Sequence, residues 1–302
     1  MTDRGLERLL CQIIPGLSPQ QLHIPSLAPT PDDHSKPPSQ TATLQIFEPI
    51  PPSIAFDSNG ECTIEIPGER HPLVLDTHFW GFTPLNAVDS GEHAFDLVAL
   101  SGLASHPFGS WKKYVTDTAS QQAPTFMWLR DQLPHDFPDT RVMIYGYDTK
   151  LLKSESFQTI EDLALSFIAQ LRNIGKTQTF TKPLLIFAHS LGGLLVKRAL
   201  CLLAGSGESE SFMLEHIRLV FLFGVPSAGM EMAYLLPMVD GQPNQPLVQC
   251  LAKDDPHRFL QVLSDSFDGI SRLRQIRLIS AYETQRTRTA KVRSSQWRRK
   301  QN

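Results

Sequence analysis

The chain has only four cysteines, Cys11, Cys62, Cys201 and Cys250, and no two of them form a CxxC pair. This scarcity excludes a dense disulfide framework and a zinc-ligand spacing, and it fits a reducing compartment. A long apolar run free of charge is also missing. The most apolar stretch, residues 184–204, holds His189, Lys197, Arg198 and a Gly pair. Charges near a bilayer centre cost about 2.5–3.5 kcal/mol each, so this stretch reads as a buried strand followed by a helix. A secretion signal is lacking too, because acidic Glu7 precedes the apolar patch at residues 9–14 and no small-residue cleavage site follows it. The expected setting is intracellular: cytoplasmic, or peripheral on an organelle membrane such as that of the mitochondrion or endoplasmic reticulum.

Two segments stand apart by composition. Residues 1–52 are expected to be a flexible leader, since residues 15–52 hold most of the proline-rich sequence with little hydrophobic periodicity. Residues 286–302 carry seven basic side chains and no acid, leaving 21 basic against 31 acidic on the rest of the chain. Such a tail suits acidic surfaces, RNA or anionic lipid. The preferred reading is a truncated or alternatively read C-terminus, and no nucleic-acid partner is expected.

Residues 53–285 are expected to form one domain. From residue 94, short apolar runs alternate with amphipathic segments, the pattern of βα units around a parallel sheet. Strands are expected at 95–100, 141–145, 184–188, 219–223 and 276–280. Phe157, Ile160, Leu163, Ala164, Phe167, Ile168 and Leu171 recur at three- and four-residue steps, which predicts a helix of about four turns ending near Gly175. A shorter helix is expected from Phe126 to Leu133, stopped by Pro134, and another from Ser190 onward. Residues 230–270 interrupt the rhythm with Met230, Met232, Leu235, Leu236, Met238, Phe259, Leu260 and Leu263. They predict a helical lid whose apolar residues line an acyl-sized pocket, although apolar helix faces are more often core.

The segment Ile186-Phe187-Ala188-His189-Ser190-Leu191-Gly192-Gly193 joins a buried strand directly to a helix. It matches a nucleophile elbow, in which a strained strand-to-helix turn lifts a serine hydroxyl above the sheet and side chains two residues away on either side must be small. Ala188 stands where glycine is more usual. The helix N-terminus then makes the Leu191 N–H a donor to a developing oxyanion. The second donor is expected from the loop after the 95–100 strand, with the Leu103 N–H as the candidate.

Together, the blocks 96–103, 141–148, 188–194 and 223–226 resemble the lipase-like, serine-active-site-containing α/β-hydrolases, most closely fungal members that occur alone or ahead of NACHT and ankyrin-like regions of NLR-type proteins. The resemblance spans about residues 75–290. It implies a doubly wound α/β-hydrolase sheet and a serine acting on an ester or amide, with an acyl ester or lipid-like substrate, peripheral membrane association and no cofactor or metal. Two departures lie near the site: Ser101-Gly102 replaces His-Gly at the oxyanion loop, and Pro226-Ser227 replaces Pro-His.

In this fold the acid and then the histidine follow the serine in the chain. Glu283 lies just after the 276–280 strand, and the resemblance supports it through Tyr282-Glu283-Thr284; Asp148 and Asp240 remain alternatives. No histidine follows His257, which makes His257, in the lid, the substitute base. His216 precedes its strand and belongs at the opposite edge of the sheet. His189 and His106 read as packing or substrate-contact residues, with the His189 ring expected to point away from the hydroxyl. Without a base, serine is a poor nucleophile near neutral pH, so the chain is expected to be a weak or inactive hydrolase. The alternatives are a non-catalytic signalling or binding module of the same fold, or a truncated gene product.

Overall fold

The computed structural model describes residues 1–31, 39–89, 91–113, 125–176, 182–207, 213–270, 273 and 275–284. The basic tail lies outside these residues. The proline-rich leader does not match its expectation. Residues before 52 include helix α1 (Asp3–Ile13) and an antiparallel pair, β1 (Leu22–Pro29) with β2 (Gln40–Ile46). A second pair, β3 (Glu61–Ile64) with β4 (Leu73–Asp76), follows. The physical reason is a small apolar core that the prolines conceal. Leu6, Leu10 and Ile14 recur along one face of α1 and pack with Leu22, Ile54, Cys62 and Leu75, while Pro49, Pro51 and Pro52 fall between elements.

The main sheet has six strands in the order β10-β9-β8-β6-β7-β5. These are β5 (Gly81–Pro84), β6 (Phe95–Leu100), β7 (Thr140–Gly146), β8 (Leu184–His189), β9 (Ile217–Phe223) and β10 (Arg277–Ala281). The five strands anticipated from apolar runs are parallel to their neighbours, and β5 is an antiparallel edge on β7. Both faces are covered. Along β6, Val98 and Leu100 join the core formed by the helices of one face, whereas Leu97 and Ala99 pack with Trp111, Met127, Leu129 and Leu133 on the other. That two-sided burial explains why these strands are continuous apolar runs rather than alternating ones. Buried Asp96 pairs in register with Arg141, the guanidinium Nε lying 2.7 Å from the carboxylate, and His93 meets the same oxygen at 3.0 Å. Removing one partner of such a pair costs about 3–5 kcal/mol, so this cluster pins the β6–β7 register.

Among the described residues, α2 to α5 (128–205) lie between the strands of the sheet in the chain. Short α2 (Trp128–Asp131) and α3 (Leu133–Asp136) stand where one helix ending at Pro134 was expected. Proline in the first turn of a helix loses no hydrogen bond, so here it sits inside a start and does not mark a stop. Helix α4 (Ile160–Lys176) buries Ile160, Leu163, Ala164, Phe167, Ile168 and Leu171. Phe157 precedes it and is 79% exposed, outside the predicted stripe. The start is fixed by Thr159 and Asp162, whose backbone N–H groups and side chains bond reciprocally and hold the Asp162 carboxyl below its ordinary range. Helix α5 (Leu191–Gly205) follows β8 without a gap beyond Ser190.

The interruption at 230–270 folds into α6 (Leu236–Val239), α7 (Gln245–Gln249) and α8 (Phe259–Gly269). Val239, Leu247, Val248, Leu260, Leu263 and Phe267 are buried in the same core as α4 and α5, so much of this apolar surface is packing. Between α4 and these helices lies a cavity of about 790 Å³ lined by residues including Ile160, Leu236, Leu247, Cys250 and Phe259. Among the described residues, no helix is long and apolar enough to cross a membrane.

The strand order reverses at β6, with β7 on one side and β8 then β9 on the other. Crevices at the carboxyl ends of strands form at such reversals. A mostly parallel sheet covered on both faces, with one antiparallel edge strand and a strand–serine–helix turn at its centre, is the α/β-hydrolase fold.

Candidate active site

Ser190 stands at the carboxyl end of β8 with φ 52° and ψ −122°. An L-residue other than glycine seldom adopts that conformation, which costs about 1–3 kcal/mol and persists only where the surroundings enforce it. They do so here: the Ser190 N–H donates to the Phe223 carbonyl at 2.9 Å, and the Ser190 carbonyl accepts from the Gly193 N–H at 3.0 Å. The turn is therefore bonded to the neighbouring strand on one side and to its own helix on the other.

The glycines near the turn are explained by contact. A Cβ at Gly192 would lie 2.5 Å from the Ser101 carbonyl oxygen, and one at Gly193 would overlap the Val225 side chain. A Cβ at Gly102 would lie 2.7 Å from the Ser190 Cβ. The loop after β6 thus closes directly over the serine. Its position is fixed by the buried Tyr147 hydroxyl, which donates to the Ser101 carbonyl at 2.7 Å. Burial pushes that phenol well above its ordinary range, so it stays a neutral donor. The Ala104 N–H and the Ser105 carbonyl are tied to Thr149. No hydrogen bond of the Leu103 N–H is present among the described residues. The Leu191 N–H belongs to the first turn of α5, where helix N–H groups have no intrahelical partner.

Glu283 follows β10, the edge strand beside β9. Residue His189 on β8 pairs in register with Phe223 on β9, the next residue Gly224 donates its N–H to Ala281 of β10, and a Cβ on Gly224 would lie 3.7 Å from a Glu283 carboxylate oxygen. The charge of Glu283 acts on His189, partly offsetting the burial that pushes this imidazole below its ordinary value. His189 is therefore mostly neutral near pH 7.

The structure does not bring His257 to the serine. His257 borders the cavity between α4 and the 230–270 helices, whose lining includes neither Ser190 nor Glu283, and its backbone N–H donates to the Asp255 carboxylate. His216 sits just before β9, at the edge of the sheet opposite Ser190, as expected. The His106 ring is committed structurally, because Nδ1 accepts from the Phe108 and Gly109 N–H groups while Nε2 meets the Thr77 carbonyl. Asp148 accepts from the Lys150 N–H, and Asp240 ends α6. One polar contact escaped the sequence reading: Lys197 of α5 donates to the Ser227 hydroxyl at 2.8 Å with its ammonium over the Phe267 ring. A lone lysine on an otherwise apolar helix face, and Ser227 at a departure from the family pattern, were the available signals. Burial raises the thiols of Cys11, Cys201 and Cys250, the last to about 12, so none of these is a thiolate near neutral pH. Among the described residues, no cluster of three or more potential ligands could hold a metal ion.

No protein-family profile matches the chain. The chain is 29% identical over 208 residues to Protein SERAC1 of Danio rerio and 26% identical over 206 residues to Protein SERAC1 of Homo sapiens, in each case across 63% of this chain and 30% of the relative. It thus spans under a third of the length of these relatives. Among solved structures, it is similar to the mature lipase BlEst2 of Bacillus licheniformis, with 16% identity and a TM-score of 0.44 over 66% of this chain and 70% of that one. Phospholipase PlaB of Legionella pneumophila matches at 14% identity and a TM-score of 0.41, over 63% of this chain and 39% of that one.

Proposed function

We propose that this chain is a serine hydrolase acting on an acyl ester of lipid-like character. Ser190 attacks the ester carbonyl, the Leu191 and Leu103 amides hold the oxyanion, and Glu283 supplies the carboxylate of the site. The observation that carries this reading is the backbone of Ser190, held at φ 52° directly between β8 and α5. A binding module gains nothing from a strained serine at that point, whereas a nucleophile needs it to stand clear of the sheet above a helix N-terminus. Peripheral attachment to a membrane would bring lipid-like substrates within reach.

The test is turnover of p-nitrophenyl esters with acyl chains of two to sixteen carbons. The wild-type chain is expected to hydrolyse at least one of them, and Ser190→Ala is expected to lower that rate by about 1,000-fold or more. Equal rates for the two proteins would exclude Ser190 as nucleophile.

A further inference from the structure

We infer that His189, the residue immediately before the nucleophile, is the proton acceptor of this site, with Glu283 as its carboxylate partner; the inference rests on the reading of Ser190 as nucleophile. Three observations converge on it. First, one point in space, where a Cβ on Gly102 would stand, is 3.2 Å from the Ser190 hydroxyl oxygen and 3.3 Å from His189 Nδ1. Nδ1 and the hydroxyl thus flank the same stretch of the oxyanion loop. Second, His189 Nδ1 is buried and, among the described residues, has no hydrogen-bond partner. A buried imidazole nitrogen without a partner is an uncompensated cost, and the Ser190 proton is the donor that would satisfy it. Third, Glu283 is the charged group that acts on His189 from the β10 side, while the oxyanion loop and β9 present the uncharged Gly102, Phe223 and Gly224 around it.

The chemistry balances within these groups. As Ser190 Oγ bonds to the carbonyl carbon, its proton passes to His189 Nδ1 and the carbonyl π electrons move to the oxygen facing the Leu191 and Leu103 amides. Collapse of that oxyanion breaks the bond to the leaving alkoxide, which takes the proton from His189 and departs as an alcohol. Water then adds to the acyl-enzyme, His189 accepts its proton, and return of that proton to Ser190 Oγ frees the carboxylic acid. Catalytic hydrogen bonds are often long before substrate arrives and tighten only in the substrate complex.

A fluorophosphonate probe on the full chain tests the assignment, with labelling rates read for wild type, Ser190→Ala, His189→Ala and His189→Asn, and melting temperatures read beside them. No labelling of folded wild type, or labelling unchanged in Ser190→Ala, would sink the nucleophile reading itself. Given Ser190-dependent labelling, both His189 variants are expected to react about 100- to 10,000-fold more slowly, and added imidazole is expected to restore part of the His189→Ala rate. His189 variants labelled at the wild-type rate would overturn the inference, as would a folded His189→Ala whose loss imidazole leaves unchanged. Should His189→Ala not fold, the pH profile decides. A base must be neutral to work, so the wild-type rate should fall only below the ordinary histidine range, and Glu283→Gln should move that fall to still lower pH because its charge no longer favours the imidazolium. A profile without that fall, or one that Glu283→Gln leaves in place, would contradict the assignment.

Discussion

Ser190→Gly is expected to raise the melting temperature of the protein while removing its hydrolytic activity. The strain at φ 52° and ψ −122° is worth about 1–3 kcal/mol, and glycine adopts this conformation freely. Part of the gain is offset by the looser unfolded chain, about 0.4–1 kcal/mol, which leaves roughly 1 kcal/mol and a rise of about 2–4 °C. Ser190→Ala keeps its Cβ and so should lose activity to the same extent with no such rise. The comparison separates strain from chemistry, because both variants lack the hydroxyl and only one lacks the Cβ. Thermal melts of the three proteins check it, and equal stabilities for glycine and alanine would show that the turn is not strained.

Gly192→Ala is expected to lower ester turnover by about 100-fold or more with Ser190 and His189 intact. Its new Cβ would lie 2.5 Å from the Ser101 carbonyl oxygen and 3.1 Å from the Leu100 carbonyl oxygen. Both are backbone atoms, so the strain cannot be relieved by rotating a side chain. The Ser101 carbonyl is also held by Tyr147, so the loop bearing the Leu103 amide must shift as a unit, and a displacement of about 1 Å at a reacting centre costs on the order of 100-fold. Gly207→Ala, whose Cβ would meet open space, is the control and should leave both turnover and melting temperature unchanged. A Gly192→Ala protein with wild-type turnover would mean that the loop carries no oxyanion donor.

The parallel strands were legible because burial on both faces makes each a continuous apolar run, as in residues 97–100 of β6 and 142–145 of β7. The elbow was legible because its requirements are local: a strand, a serine, a helix and small residues on either side. Strand β5 was not, since Gly81-Phe82-Thr83-Pro84 is short, begins and ends on turn-forming residues, and becomes a strand only by lying along β7. The N-terminal elements were hidden for a similar reason, as their core joins α1 to Ile54 and Leu75 far along the chain. The surroundings of the His189 ring were not legible because they depend on the positive φ of the next residue and on where the 101–109 loop closes. Neither quantity is written in the spacing of residues 188–193.

The most direct test of the account is to treat the full chain with a fluorophosphonate and locate the phosphonyl group by peptide mass spectrometry. A single adduct on Ser190, absent from Ser190→Ala, is the predicted result. An adduct confined to another residue such as Ser227, or no adduct on a folded protein, would contradict the claim that this strand-to-helix serine is an activated nucleophile.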